Sequence, residues 1–304
     1  MIAPMCEKIH QHGSFFNVDD FSIEDLPEEI SHPSTYVWLR NCFPLIVRLL
    51  GKGTASGRAC LIHQELRQTI QCEKNNCPYL KEFGPNHILY GGIGIITNQH
   101  VVTNDKEAAA TNIEFFYNSN WRENVVKEYG HKLHTTNRKM DYSMFSCFVH
   151  NKELITMVAT FDTRRNFSWL TIPKKIRESA RKFAIVISHP HGASKRLSIG
   201  DVIERKIHIK SDKEYEILKI VRNIYDLCEK SGPAGVSRFE AYWRQVLDID
   251  LPYTVTWYTA PTCRGSSGAP VYMGSTVLEY GEEINQAHTH RGVDNSNGYN
   301  NCFT

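Results

Sequence analysis

The chain has 304 residues, 41% of them hydrophobic and 22% charged, ordinary proportions for a globular protein with a large buried core. Its 35 basic and 33 acidic residues nearly cancel, leaving a net charge of +2, so nothing in the balance favours nucleic acid or another polyanion as partner. No run approaches the roughly twenty apolar residues of a membrane span, so no membrane partner is expected.

Cys6, Glu7 and Lys8 interrupt the first residues where a secretory signal needs an unbroken apolar core. Nine cysteines, odd in number and without regular spacing, read as reduced thiols rather than a disulfide framework. The expected compartment is therefore intracellular, cytoplasm or nucleus.

In chain order, residues 1–34 are acidic and polar and are expected to form an N-terminal extension, partly ordered against the body. Thr35 to Leu50 mixes a helical start with a β-branched end at Ile46 and Val47 that reads as the first strand. Apolar runs at 59–62 and 93–96, flanked by Gly53, Gly57, Gly91 and Gly92, read as a hairpin with a long insertion at 63–88. That insertion holds His63, Cys72, Cys77 and His87, residue types that ligate zinc, but Cys-x4-Cys lies at the edge of the spacings structural sites use. A plain surface loop is the expectation, with no metal and no cofactor.

Further strand-like runs fall at 113–117, 142–149, 155–161, 183–188, 201–209, 253–258, 271–272 and 284–289. The basic run 174–182 reads as a solvated helix face rather than a nuclear address. Leu218, Val221, Tyr225 and Cys228 share one helix face, Ser231-Gly232-Pro233 stops that helix, and a second follows at 238–247. The pattern is that of an all-β sandwich or barrel protein in two lobes, with a helical insertion at 212–248.

Chemistry concentrates in Cys263-Arg264-Gly265-Ser266-Ser267-Gly268-Ala269-Pro270-Val271. A serine hydroxyl needs a base to take its proton and N–H donors to stabilise the oxyanion it creates. Glycine two residues before Ser267 lets the Gly265 and Ser267 amides converge, and Gly268 leaves the hydroxyl unobstructed. Composition equally allows a polar Gly/Ser turn between strands. Upstream, His100 follows the apolar run 93–96, and Asp141 opens the run 142–149. A structural histidine and a surface turn aspartate are the plain alternatives.

Three stretches together resemble the trypsin-like (chymotrypsin-fold) serine proteases, closest to the intracellular and HtrA-type branch. They are Gly94-Ile95-Ile96-Thr97-Asn98-Gln99-His100-Val101-Val102, Asp141-Tyr142-Ser143-Met144, and Gly265-Ser266-Ser267-Gly268-Ala269-Pro270-Val271. A fourth, Ser188-His189-Pro190-His191-Gly192 followed by Gly200-Asp201-Val202, is similar to a run in that branch's second barrel. The order His, Asp, Ser agrees as well.

The resemblance implies two six-stranded antiparallel β-barrels, chymotrypsin-like, with the helical insertion in the second. Residues 35–160 would form the first barrel, with His100 and Asp141, and 161–304 the second, with Ser267. It implies a serine endopeptidase acting on protein or peptide substrates, with His100, Asp141 and Ser267 catalytic and the Gly265 and Ser267 amides as oxyanion hole. Ser266 stands where secreted members carry an activating aspartate, so activation by a freed N-terminus is not expected, and removal of residues 1 to about 30 should be tolerated.

Pro261 occupies the pocket-base position that is an aspartate in trypsin-type members, leaving no charge to select Lys or Arg. His288, Thr289 and His290 fall where the family places its substrate-pairing strand. There His288 could recognise a glutamine or glutamate, unless the pocket is apolar and takes an aromatic or aliphatic side chain. Cys263, four residues before Ser267, reads as a packed thiol rather than a rival nucleophile. A catalytically idle protease fold serving as a peptide-binding scaffold is the alternative from another class.

Overall fold

The computed structural model describes residues 6, 8–61, 70–72, 77, 79–85, 87–208, 253–273, 288–293 and 299–303. A short strand β1 (Phe16–Asn17) leads to helix α1 (Pro33–Cys42) and strand β2 (Ile46–Leu50), the helix-then-strand order expected of that stretch. α1 begins where His32 Nδ1 accepts the Ser34 amide and Pro33 takes the first helical position, where its missing N–H goes unneeded.

β3 (Thr54–Leu61) returns antiparallel to β2. The insertion contributes β4 (Ile70–Gln71), α2 (Leu80–Phe83) and β5 (Ile88–Leu89), and β6 (Gly91–Thr97) then pairs with β3 as the hairpin reading expects. After α3 (Asp105–Ala110) come β7 (Asn112–Phe115), β8 (Val126–Asn137) and β9 (Tyr142–Val149), closing a barrel in the order β2-β3-β6-β9-β8-β7. Leu49, Ile93, Ile95, Phe115 and Phe145 fill it. Each is worth about 1.5–3 kcal/mol of burial.

Helices α4 (Lys152–Thr171) and α5 (Lys174–Ser179) lead to the second lobe, and α5 carries the basic run. The strand expected at 155–161 is therefore wrong, and the boundary expected at 160/161 falls inside α4. The Asn151 side chain caps the Leu154 amide, and buried Leu154, Val158, Arg165 and Trp169 follow the helical period, which outweighs the local β-branched content of Ile155, Thr156 and Val158.

The second lobe comprises β10 (Phe183–Ser188), β11 (Arg196–His208), β12 (Tyr253–Tyr258), β13 (Pro270–Met273), β14 (His288–Val293) and β15 (Asn300–Phe303). These pair in the order β11-β10-β13-β14-β15-β12, and β12 pairs back to β11, completing a second six-stranded antiparallel barrel. The helical insertion expected at 212–248 lies outside the described residues. Among the described residues no helix is long and apolar enough to cross a membrane.

The N-terminal segment is more than an extension. β1 pairs with β11, and Val18, Phe21, Leu26 and Ile30 are buried in one cluster with Trp38, Trp169, Ile185, Leu197 and Tyr272. Trp38 sits 4.9 Å from Trp169 and 5.2 Å from Tyr272, ring centroid to centroid, joining α1, α4 and the second barrel.

Candidate active site

His100 lies in the turn after β6, where the Val101 and Val102 amides bond the Asn98 carbonyl. Asn98 Nδ2 donates to the Asp141 carbonyl at 2.9 Å, tying this turn to the start of β9. Asp141 takes a left-handed conformation (φ 49°), which Asp tolerates better than most residues. That twist aims a carboxylate only 6% exposed at the turn. Oδ2 stands 2.7 Å from His100 Nδ1, and Oδ1 accepts the His100 amide at 3.0 Å. A carboxylate on Nδ1 keeps a hydrogen there and leaves Nε2 as the basic nitrogen.

The Ser267 loop is pinned from both barrels. Ser56 on β3 donates its amide to the Ser267 carbonyl and its hydroxyl to the Gly265 carbonyl, each at 2.8 Å, and its own carbonyl accepts Thr97 Oγ1 at 2.9 Å. From the second barrel, Ser188 Oγ meets Ser266 Oγ at 3.0 Å, and the His290 carbonyl accepts the Gly268 amide at 3.0 Å. Gly268 has φ 81°, and a Cβ there would collide with Thr97 Oγ1 and the Ser56 carbonyl, so only glycine fits.

The Arg264 carbonyl accepts the His191 amide at 2.5 Å, which turns the Gly265 N–H of the same planar peptide to the opposite side. Among the described residues neither the Gly265 nor the Ser267 amide has a hydrogen-bond partner. Ser267 is partly exposed, and no hydrogen bond joins its Oγ to His100 Nε2. The structure thus brings His100 and Asp141 into contact and seats Ser267 in the facing loop, with the hydroxyl and the two amides unengaged.

The specificity-strand candidates divide. His290 turns into the second barrel, where Tyr258 Oη lies 2.6 Å from its Nδ1, and burial, with Lys8 and His100 nearby, lowers its pKa to about 3. Thr289 is buried in β14 opposite Pro270, and the Pro261 carbonyl accepts Ser198 Oγ at 2.7 Å. His288 is in β14 opposite Val271; its side chain is not among those described.

Two participants were not singled out in the sequence. Ser56 carries no motif, and its role arises only when the barrels meet. Arg291, 53% exposed, holds Nε 3.9 Å from Asp141 Oδ2, a positive group beside the carboxylate that contacts His100. Its one signal is its place beside His290.

The N-terminal segment reaches this loop too. Lys8 Nζ donates to the Thr262 carbonyl at 3.1 Å, and Cys263 Sγ lies 3.8 Å from Cys6 Sγ and 3.4 Å from His12 Nε2. Burial and the neighbouring Cys6 push the Cys263 thiol up to about 12, so it is protonated at neutral pH, in keeping with a packed thiol.

No protein-family model and no curated protein sequence matches the chain. Solved structures do. The inactive form of a serine-to-alanine mutant of Rv3671c from M. tuberculosis H37Rv is 10% identical over 92% of this chain and 88% of that one, with a TM-score of 0.41. Deg5 is 13% identical over 88% of both chains, with a TM-score of 0.39. The serine endoprotease from Yersinia pestis is 9% identical over 87% of this chain but only 60% of its own, with a TM-score of 0.38. Likenesses this distant add nothing to the strand order, and it is the closure of two six-stranded antiparallel barrels that makes the fold chymotrypsin-like.

Proposed function

We propose that this chain, which has the two-barrel fold of the trypsin-like serine proteases, is a serine endopeptidase acting on protein or peptide substrates. The observation that carries the reading is the double contact of Asp141 with His100, one oxygen on Nδ1 and one on the backbone amide. A carboxylate spent in this way orients an imidazole for use at its other nitrogen.

In the reaction, Ser267 Oγ attacks the scissile carbonyl carbon as its proton passes to His100 Nε2. The new oxyanion accepts from the Gly265 and Ser267 amides, and Asp141 stabilises the imidazolium. The tetrahedral adduct collapses, His100 protonates the leaving amine, and the peptide acyl group remains on Ser267. Water, deprotonated by His100, then hydrolyses that ester and restores the hydroxyl. The odd, unframed cysteines support work in a reducing compartment, cytoplasm or nucleus.

Pro261 and the 288–290 strand are the proposed substrate-side residues. With no acidic group at Pro261, the pocket takes an aromatic or aliphatic side chain, glutamine or glutamate entering only if His288 faces it.

The second reading, an idle protease fold that holds peptides as an added strand, is favoured by one observation: no Ser267–His100 hydrogen bond is formed. Such bonds often tighten only when substrate is bound. Quenched-fluorescence hydrolysis of an unfolded protein separates the two. Turnover lost by about 10⁴-fold or more in Ser267→Ala and His100→Ala supports the enzyme; peptide binding without turnover in the unaltered chain supports the scaffold.

A further inference from the structure

We propose that Cys72, Cys77, His87 and His150 form a structural zinc site that fastens the insertion to the first barrel. Their two Sγ and two Nε2 atoms all lie within 4.8 Å of one another. Cys77 Sγ is 3.3 Å from both His87 Nε2 and His150 Nε2, and the two Nε2 atoms are 3.2 Å apart. Tetrahedral zinc with Zn–N of about 2.05 Å and Zn–S of about 2.3 Å separates its ligands by about 3.3 Å for N–N and about 3.6 Å for S–N. The N–N edge agrees with that polyhedron to about 0.1 Å, and the two S–N edges are about 0.3 Å shorter than it.

The far side of each ring supports the same reading. His87 Nδ1 lies 2.6 Å from the Gly84 carbonyl and His150 Nδ1 3.2 Å from Glu128 Oε2. Both acceptors draw a ring hydrogen to Nδ1, so the two Nε2 atoms are turned towards each other and towards the Cys77 thiol, as ligands of one ion would be. Glu128, fully buried in β8, also accepts the His150 amide at 3.0 Å, fixing the ring from backbone and side chain. Cys72, Cys77 and His87 are 4 to 6% exposed.

Four protein ligands complete the coordination shell, which makes the site structural rather than catalytic. β9 carries Asp141 just before its start and His150 just after its end, roughly 30 Å apart along an extended strand. The cluster around it is small, Cys72, Cys77 and Leu89 with Tyr79, Leu80 and Phe148, the scale at which a metal substitutes for a core. A second donor group, Cys6, His12, His191 and Cys263, is equally close, but His191 is exposed and, among the described residues, no hydrogen bond orients the Nδ1 of His12 or His191. It serves as the internal control.

The test is metal analysis of the purified chain after dialysis against zinc. One zinc per chain is expected, lost in Cys77→Ser, retained in Cys263→Ser, and bound about 10- to 100-fold more weakly in Glu128→Gln. Because Cys77→Ser could fail to fold, cobalt(II) replaces zinc in the unaltered protein. Intense visible bands of four-coordinate cobalt with thiolate charge transfer in the near ultraviolet are expected. A chain that takes up no zinc, zinc that persists in Cys77→Ser or leaves in Cys263→Ser, or the weak spectrum of six-coordinate cobalt, would each overturn the proposal.

Discussion

The amide of Ser56 donates to the carbonyl of Ser267 at 2.8 Å, so the candidate nucleophile in the second barrel is held by a backbone bond from the first. The same residue's hydroxyl is shared between the Gly265 carbonyl and the His189 amide, donating to one and accepting from the other. Ser56→Ala keeps the backbone bond and strands two buried polar groups, at a cost of about 1–3 kcal/mol. Denaturant melts should show that loss, and kcat should fall about tenfold with KM little changed. Unaltered kcat would mean the loop does not depend on this strut.

Gly268→Ala should be far more damaging, because neither the Ser56 carbonyl nor the chain at φ 81° can yield. A loss of about 2 kcal/mol or more and no measurable turnover are expected, and Thr97→Ala in the same chain should not rescue it, since the backbone clash remains. Recovery in the double variant would show that the side chain alone sets the limit.

The packing of the N-terminal segment argues against the tolerance of its removal expected from the sequence. Deleting residues 1–30 strips Val18, Phe21, Leu26 and Ile30 from their cluster. At about 1.5–3 kcal/mol for each, the loss rivals the whole stability of a typical domain. The truncated chain should lose its near-ultraviolet circular dichroism and precipitate; a folded, soluble product would show that the cluster is dispensable.

Three strands were read end to end from sequence, β9, β10 and β12, and in β9 and β10 an apolar run and a buried strand coincide. β8 escaped because polar Lys127, Glu128, Lys132 and Thr135 break its alternation, and the four residues of β15 are too few to carry a pattern. The His100 and Ser267 stretches were legible because a histidine at a strand end and a glycine-flanked serine are patterns confined to a few neighbouring residues. Ser56, Arg291 and His150 carry no such mark. Barrel pairing brings His150 to the cysteines: Gly91 sits opposite Val149, which delivers the next residue to a site whose Cys77 lies 73 residues earlier in the chain.

His290 gives the stability a definite acid limb. Its folded pKa of about 3 lies below the usual histidine value of about 6.5, so between these values the unfolded chain takes up a proton that the folded chain refuses. Stability from this group is fully present above about pH 6.5 and falls as the pH drops towards 3, by about 2 kcal/mol on reaching pH 5. Urea titrations at pH 7.5 and 5 should show that much more acid loss for the unaltered chain than for His290→Asn. Equal losses would mean the ring is not held neutral.

On the proposed reading, specificity follows from Pro261 and β14. Cleavage of a random peptide library should show an aromatic or aliphatic residue before the cut, with any glutamine or glutamate preference lost in His288→Ala. Strong selection for Lys or Arg would rule out both pockets.

The most direct measurement is to treat the folded chain with a fluorophosphonate, digest it, and map the adduct by tandem mass spectrometry. A single phosphonylated residue, Ser267, is expected, with labelling abolished in His100→Ala and in Ser267→Ala. Labelling that persists in Ser267→Ala, or none at all in the unaltered chain, would contradict the proposed mechanism.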